Sequence, residues 1–233
     1  MRRKSSNNIW IPYADLFLGI MLSLLVGFIV VGRELKKISF SKELLEAVRT
    51  AVEINTELKK ELEPRLKKSG VTFDGSETSI EIPEAALFAQ GSFNDFERDA
   101  TSGAVLRTIA SSMREVFERI GEEKLKTIKI VIEGHTDNIP INRPGMPSNW
   151  ELSSRRATGV LRYLSIHGVD DNLYRLVAVG YADKRPKTSN STTEGRRKNR
   201  RIVIKIEPDL EEELKKIMPT VDATPDNQES NTQ

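Results

Sequence analysis

Residues Ile9 to Val31 read IWIPYADLFLGIMLSLLVGFIVV, an apolar run interrupted by a single carboxylate, Asp15. At the usual helical rise its roughly 23 residues make ~34 Å of helix, against a hydrocarbon core of about 30 Å. A helix that long and apolar constrains the chain more than any other feature: it needs lipid around it. An acid at that depth costs about 2.5–3.5 kcal/mol or more. A lone helix offers Asp15 no partner, so the group is expected to face another protein or a water-filled path and to carry an ion. The competing reading puts Asp15 near the inner interface, hydrated, where it fixes the depth of the helix.

The run is long for a signal-peptide core, and Arg33-Glu34-Leu35-Lys36-Lys37 follows it where a small-residue cleavage site would stand. It reads as an uncleaved anchor, residues 9–31, behind a tail of residues 1–8. Arg2, Arg3 and Lys4 precede the helix, and this short, purely positive flank favours an N-terminus inside the cell. Pro12 falls in the first turn, where its missing N–H does little harm. Gly19 and Gly27 leave room for another helix to approach.

Beyond the membrane the chain changes character. Residues 32–70 are charged and helix-forming, with Leu44, Leu45, Val48, Val52 and Leu58 in an approximate stripe. This predicts a helical linker, a stalk paired with a second copy or a plug; a solvated helix packed on its own domain is the alternative. A compact domain is expected over residues 71–207. VTFDGSETSIEIP reads as a hairpin turning at Asp74-Gly75-Ser76, and the loop ALFAQGSFND follows. SGAVLRTIASSMREVFERIG reads as an amphipathic helix and TIKIVIEGH as a buried strand. SNWELSSRRATGVLRYLSIHG reads as a second helix, capped by Ser148 or Asn149 and closed by Gly168. YRLVAVGYA and RIVIKIE are strands around a short helix in TTEGRRKNRR. Strands alternating with helices give an α/β class, a two-layer α/β sandwich. Residues 208–233 are expected to be a partly disordered tail.

Composition narrows the chemistry. With 233 residues and a formal charge of +2, the chain lacks the basic excess of a nucleic-acid binder. It contains no cysteine and only His135 and His167. Disulfides, zinc knuckles and thiol nucleophiles are excluded, and no metal or cofactor is expected. No paired carboxylates suit a catalytic strand end, which argues against an enzyme; Glu133 and Asp137 straddle one but look like packing and binding positions.

Three segments converge on a different chemistry. IEGHTD, residues 132–137, brings Asp137 out of a buried strand end. NWELSSRRA, residues 149–157, places basic groups in the first turns of a helix, and EGRRKNRR, residues 194–201, puts a basic cluster before the last strand. An acid beside arginines suits a zwitterion: Asp137 would accept from its amine, and a guanidinium fork would take its carboxylate. An internal salt-bridge network without a ligand is the alternative.

GHTD, LSxxRA and EGRxxNRR, in this order over roughly residues 78–207, resemble the OmpA C-terminal-like peptidoglycan-binding domain. The resemblance implies that Asp137 binds the amine of the stem peptide's diaminopimelate and Arg156 its carboxylate. It also implies that Asn199 and Arg200 line or brace the same groove. Tyr13-Ala14-Asp15 in an apolar helix ahead of such a domain, and the insertion DNIPINRPGMPSNWELS, look like the B subunit of flagellar-type stators, the MotB-like proteins. That family implies a homodimer inside a ring of multi-helix MotA-like A subunits. Asp15 would carry the coupling ion, a proton or sodium. The domain would lie in the periplasm, anchored to peptidoglycan, and the helix in the inner membrane. Flagellar stators have a longer segment between helix and domain, and the short connection here also looks like the Zorya anti-phage defence motor. A passive tether from membrane to wall remains the alternative; it leaves Asp15 without a reason.

Overall fold

The computed structural model describes residues 10–74, 79–88, 100–141, 145–169, 172 and 174–211. The expected tail 1–8, most of the tail after 208, the turn around Gly75 and most of the loop ALFAQGSFND lie outside the described residues. The chain forms an N-terminal apolar helix, a further helical region and a mixed α/β domain. Contacts divide it into two units, Met1–Leu44 with Glu213–Gln233, and Leu45–Glu212.

In the first unit, helix α1 (Trp10–Leu66) begins and carries the apolar run. Residues Leu16–Leu35 form one helix long and apolar enough to cross a membrane, with mean hydropathy 2.3. Leucines and phenylalanines are exposed on every side, Phe28 by 79%. A helix apolar all round, with its large side chains exposed among the described residues, needs a lipid or protein surround. Asp15 lies on the backbone of α1; its side chain lies outside the described residues.

The second unit is built on a five-stranded sheet, in the order β1-β2-β5-β3-β4. The strands are β1 (Thr72–Asp74), β2 (Ser79–Pro83), β3 (Ile128–His135), β4 (Arg175–Gly180) and β5 (Arg201–Pro208). The helices are α2 (Glu84–Leu87), α3 (Ala100–Ile120), α4 (Glu122–Leu125), α5 (Asn149–Ile166) and α6 (Thr193–Asn199). Among the described strands only β3 and β4 pair in parallel, joined through α5 as a parallel pair requires; β5 pairs antiparallel with both β2 and β3. Alternation sorts the strands into two faces. Ile80, Ile82, Ile128, Ile130, Ile132, Ile202, Ile204 and Ile206 pack under the helices. Glu133, His135, Val203 and Lys205 lie along the other face, where β3 and β5 run side by side.

Two glycines let α5 lie close on the sheet. A Cβ on Gly134 would stand 2.1 Å from the Ser153 carbonyl oxygen, and one on Gly180 would stand 2.6 Å from the Ser154 backbone nitrogen. Ser153, fully buried there, donates to the Trp150 carbonyl (3.0 Å) and accepts from the Ala182 N–H (3.0 Å). That holds Ala182 at a positive φ of 48°, unusual for a residue with a Cβ.

The compact unit starts at Leu45, ahead of the domain start expected at residue 71. The second part of α1 is core. Ala51, Ile54, Leu58, Leu62 and Leu66 join the same cluster as Leu106, Ile109, Met113 and Val116 of α3. Charged groups rim this contact: Lys124 reaches Glu53 at 3.0 Å, and Arg119 pairs with Glu57 (3.7 Å) and Glu61. Asn55 donates to the Ile206 carbonyl (3.3 Å), tying α1 to β5. Of the expected stripe only Leu58 is buried; Leu45, Val48 and Val52 are 49%, 40% and 49% exposed. The buried stripe is displaced around the helix because Ala47 and Ala51, small enough for close approach, form its start.

Candidate functional site

The three sequence segments meet at one end of the sheet around a groove of about 510 Å³, lined by Glu84, Phe88, Asp137, Arg156, Arg197 and Arg200 among others. Each acid leaves a strand end. Asp137 follows β3, and its Oδ1 accepts from the Ile139 N–H at 3.0 Å, turning the chain. Asn149 clamps that turn: its amide donates to the carbonyls of Asp137 (3.2 Å) and Ile139 (3.0 Å), and its Oδ1 accepts from the Ile141 N–H (3.3 Å). The helix cap is therefore Ser148, whose Oγ accepts from the Trp150 N–H and donates to Glu151. That hydroxyl, first, holds the Glu151 carboxylate below the usual range.

Glu84 follows β2 directly. Its backbone N–H donates to the Arg200 carbonyl at 3.0 Å, which fixes α2 beside the head of β5. Its side chain bridges two guanidiniums: Oε1 pairs with Arg156, and Oε2 accepts from Arg200 Nε at 2.7 Å. Arg200 Nη1 donates to Asp137 Oδ2 at 2.6 Å. The groove wall is thus one continuous chain of alternating charge, Arg156–Glu84–Arg200–Asp137.

The two arginines live in different surroundings. The Arg156 side chain is 3% exposed, with its guanidinium 4.9 Å from the Phe88 ring centre. Burial lowers its basicity against the pull of Glu84. Arg200 is 34% exposed. Burial opposes its charge too, but hydrogen bonds to Asp137 and Glu84 outweigh it, and its pKa is raised. Arg197 is exposed at the rim.

Asp137, Arg156 and Arg200 come together as expected, but Asn199 does not line the groove. It is fully buried, and its side chain holds the loop before α6. Its Oδ1 accepts from the N–H groups of Lys187 (2.8 Å) and Thr188 (3.0 Å), and its amide donates to the Thr188 carbonyl (2.8 Å) and Asn190 Oδ1 (2.8 Å). Glu84 went unread, although Pro83-Glu84 carries the signal that identified Asp137, an acid just past a buried strand. The internal network expected as the alternative to a ligand does exist in this groove.

On the opposite face lies a second polar cluster. His135 and Glu133 are 2% and 5% exposed. The imidazole Nε2 meets Glu133 Oε2 at 3.2 Å and the ring stacks on Tyr181 at 5.4 Å. Burial pushes the His135 pKa down. Burial pushes Glu133 up, but the hydrogen bond with His135 and the nearby Lys205 ammonium (3.4 Å) hold it below the usual carboxylate range.

Residues 88–200 match the OmpA family model. The uncharacterized protein YtxE of Bacillus subtilis (strain 168) is 32% identical, over 70% of this chain and 59% of its own length. This chain therefore spans less than two thirds of YtxE. Motility protein B of Helicobacter pylori (strain ATCC 700392 / 26695) is 29% identical, over 91% of this chain and 90% of its own length. Among solved structures, the cell wall anchor of the T6SS from Pseudomonas aeruginosa superposes with a TM-score of 0.54 at 28% identity, covering 65% of this chain and 97% of that one.

Proposed function

We propose that this MotB-like chain, with its OmpA-like domain, is the B subunit of an ion-driven membrane motor anchored to peptidoglycan. The observation that carries the reading is the pairing of two features in one chain. One is an apolar helix, exposed all round, with Asp15 on its backbone; the other is a groove in which two carboxylates face two guanidiniums. Asp15 carries the ion, a proton or sodium. The chain acts as a homodimer within a ring of MotA-like subunits in the inner membrane, its N-terminus in the cytoplasm and its domain in the periplasm. The groove takes the zwitterionic end of diaminopimelate in the stem peptide. Rotation then drives a flagellum or a Zorya-type defence motor. Binding and force transmission, not catalysis, are the domain's work.

A second reading, a passive tether, draws on the similarity to the T6SS cell wall anchor. One paired experiment separates the two. Asp15→Asn keeps the shape of the side chain but cannot cycle a proton or hold a cation, so ion flux and function should vanish while wall binding persists. Asp137→Ala should weaken pull-down on isolated peptidoglycan about ten- to a hundred-fold, the worth of a charge-assisted hydrogen bond, while a multi-helix partner still copurifies in excess. Full function in Asp15→Asn, with no partner copurifying, leaves the tether.

A further inference from the structure

We propose that Glu84 is a built-in stand-in for the ligand's carboxylate, so that ligand binding is an exchange of one carboxylate for another across Arg156 and Arg200. This rests on the groove being the zwitterion site. A carboxylate has two acceptor oxygens, and each can take a separate guanidinium. Glu84 already does this, one oxygen on Arg156 and the other on Arg200. It takes the contact with Arg156 that the family resemblance implies for the ligand's carboxylate.

The surroundings explain why such a stand-in is needed. With its side chain 3% exposed, Arg156 has almost no water to balance its charge. A buried guanidinium stripped of its anion is strongly destabilising, so an empty groove without Glu84 would be unstable. An exchange avoids that state, because one carboxylate leaves as another arrives. Glu84 is placed to leave. It sits at the first residue of the four-residue α2, its side chain 15% exposed and bordering the open groove. Asp137 is placed to stay, because its second oxygen is held by the Ile139 N–H. The ligand amine then goes to Asp137 and the ligand carboxylate to the guanidiniums. Selectivity follows: a ligand lacking the carboxylate cannot displace Glu84.

The test uses the full-length chain in detergent and the variant Glu84→Gln. Without ligand the variant should melt below the wild type. Sodium acetate, against sodium chloride at equal ionic strength, should raise its melting temperature and leave the wild type unmoved, because only the variant has a vacant carboxylate position. The variant should bind meso-diaminopimelate about ten-fold tighter, the lower end for one charge-assisted hydrogen bond no longer competing. An acetate-insensitive variant with unchanged or weaker diaminopimelate binding overturns the proposal. The acetate arm does not depend on the wall. An acetate response with no diaminopimelate binding by either protein would fail the wall reading and keep the exchange. Should Glu84→Gln not fold, the wild type decides. With 15N-labelled arginine, meso-diaminopimelate should shift the Nε–H signals of both Arg156 and Arg200. A shift at Arg200 alone would mean that Glu84 stays on Arg156, and would refute the exchange.

Discussion

Leu58→Ala should destabilise the α/β domain by about 2–5 kcal/mol, the range for emptying a fully buried leucine site. Leu58 is 0% exposed, and its cluster holds Ile54 and Leu62 on its own helix with Leu106, Ile109 and Met113 on α3. Those neighbours belong to regular helices, so the cavity can close little. For a unit running from Leu45 to Glu212, each kcal/mol moves the melting temperature by roughly 2–4 °C, so a loss of about 4–20 °C is expected. Val52→Ala on the same helix, at a site 49% exposed, should change stability by less than about 0.5 kcal/mol. Thermal circular dichroism of the full-length chain in detergent, followed through the domain's transition, is the assay. Equal melting of Leu58→Ala and the wild type would refute the placement of residues 45–66 in the core and restore a separate linker.

Stability should also fall as the solution becomes acidic. Burial keeps the folded His135 pKa below its unfolded value of about 6.5, so its contribution is complete above that pH and is lost as pH falls toward the folded pKa. Arg201 and Lys205 press the same way and Glu133 opposes them; Glu133, itself held low, adds a loss only at more acidic pH. His135→Gln, which can still donate to Glu133, should flatten the melting temperature between about pH 7.5 and 5.5; an unchanged slope would remove His135 as its source. Cysteines at Val48 or Val52, exposed and apolar, should crosslink two copies under mild oxidation more readily than one at Arg49, which is 66% exposed and paired with Glu46. Equal, weak crosslinking at all three would argue against pairing along this face.

The strands and helices of the domain were legible because each carries its own pattern. TIKIVIEGH and RIVIKIE alternate with isoleucines on one face, and the α5 segment opens on a serine cap. What was not legible depends on contacts between distant segments. The insertion of β5 between β2 and β3 leaves no mark in any one strand. The expected stripe, Leu44, Leu45, Val48, Val52 and Leu58, shares only Leu58 with the buried one, which runs through Ala47, Ala51, Ile54, Leu58, Leu62 and Leu66; it opens on two alanines, which do not stand out as core in a charged, helix-forming segment. Asn199 stands beside arginines in sequence, but its uncharged amide makes four hydrogen bonds to three residues of the loop before α6, which spacing does not reveal. At the groove, Asp137, Arg156 and Arg200 could be named from motifs, but a partner 72 residues away, Glu84, could not be assigned to Arg156 from spacing.

The four linked charges of the groove wall sum to zero, with Arg197 a further cation at the rim, and the linked four set what the wall can accept. Arg156 and Arg200 balance Glu84 and Asp137 through direct contacts. A zwitterionic ligand preserves the sum whichever internal pair it opens. A ligand whose carboxylates are amidated brings only ammonium; it can meet Asp137, but only by setting itself against Arg200 and offering the guanidiniums nothing in return. Since burial already weighs against the charge on Arg156, that imbalance is not relieved by water. The diamide of diaminopimelate should therefore bind about ten- to a hundred-fold more weakly than meso-diaminopimelate, the equivalent of one lost charge-assisted hydrogen bond. Isothermal titration of the full-length chain with both compounds, with Asp137→Ala as the control for the amine contact, measures the difference. Equal affinities would mean that the groove reads the ammonium alone, and that its arginines serve only to hold the two acids in place.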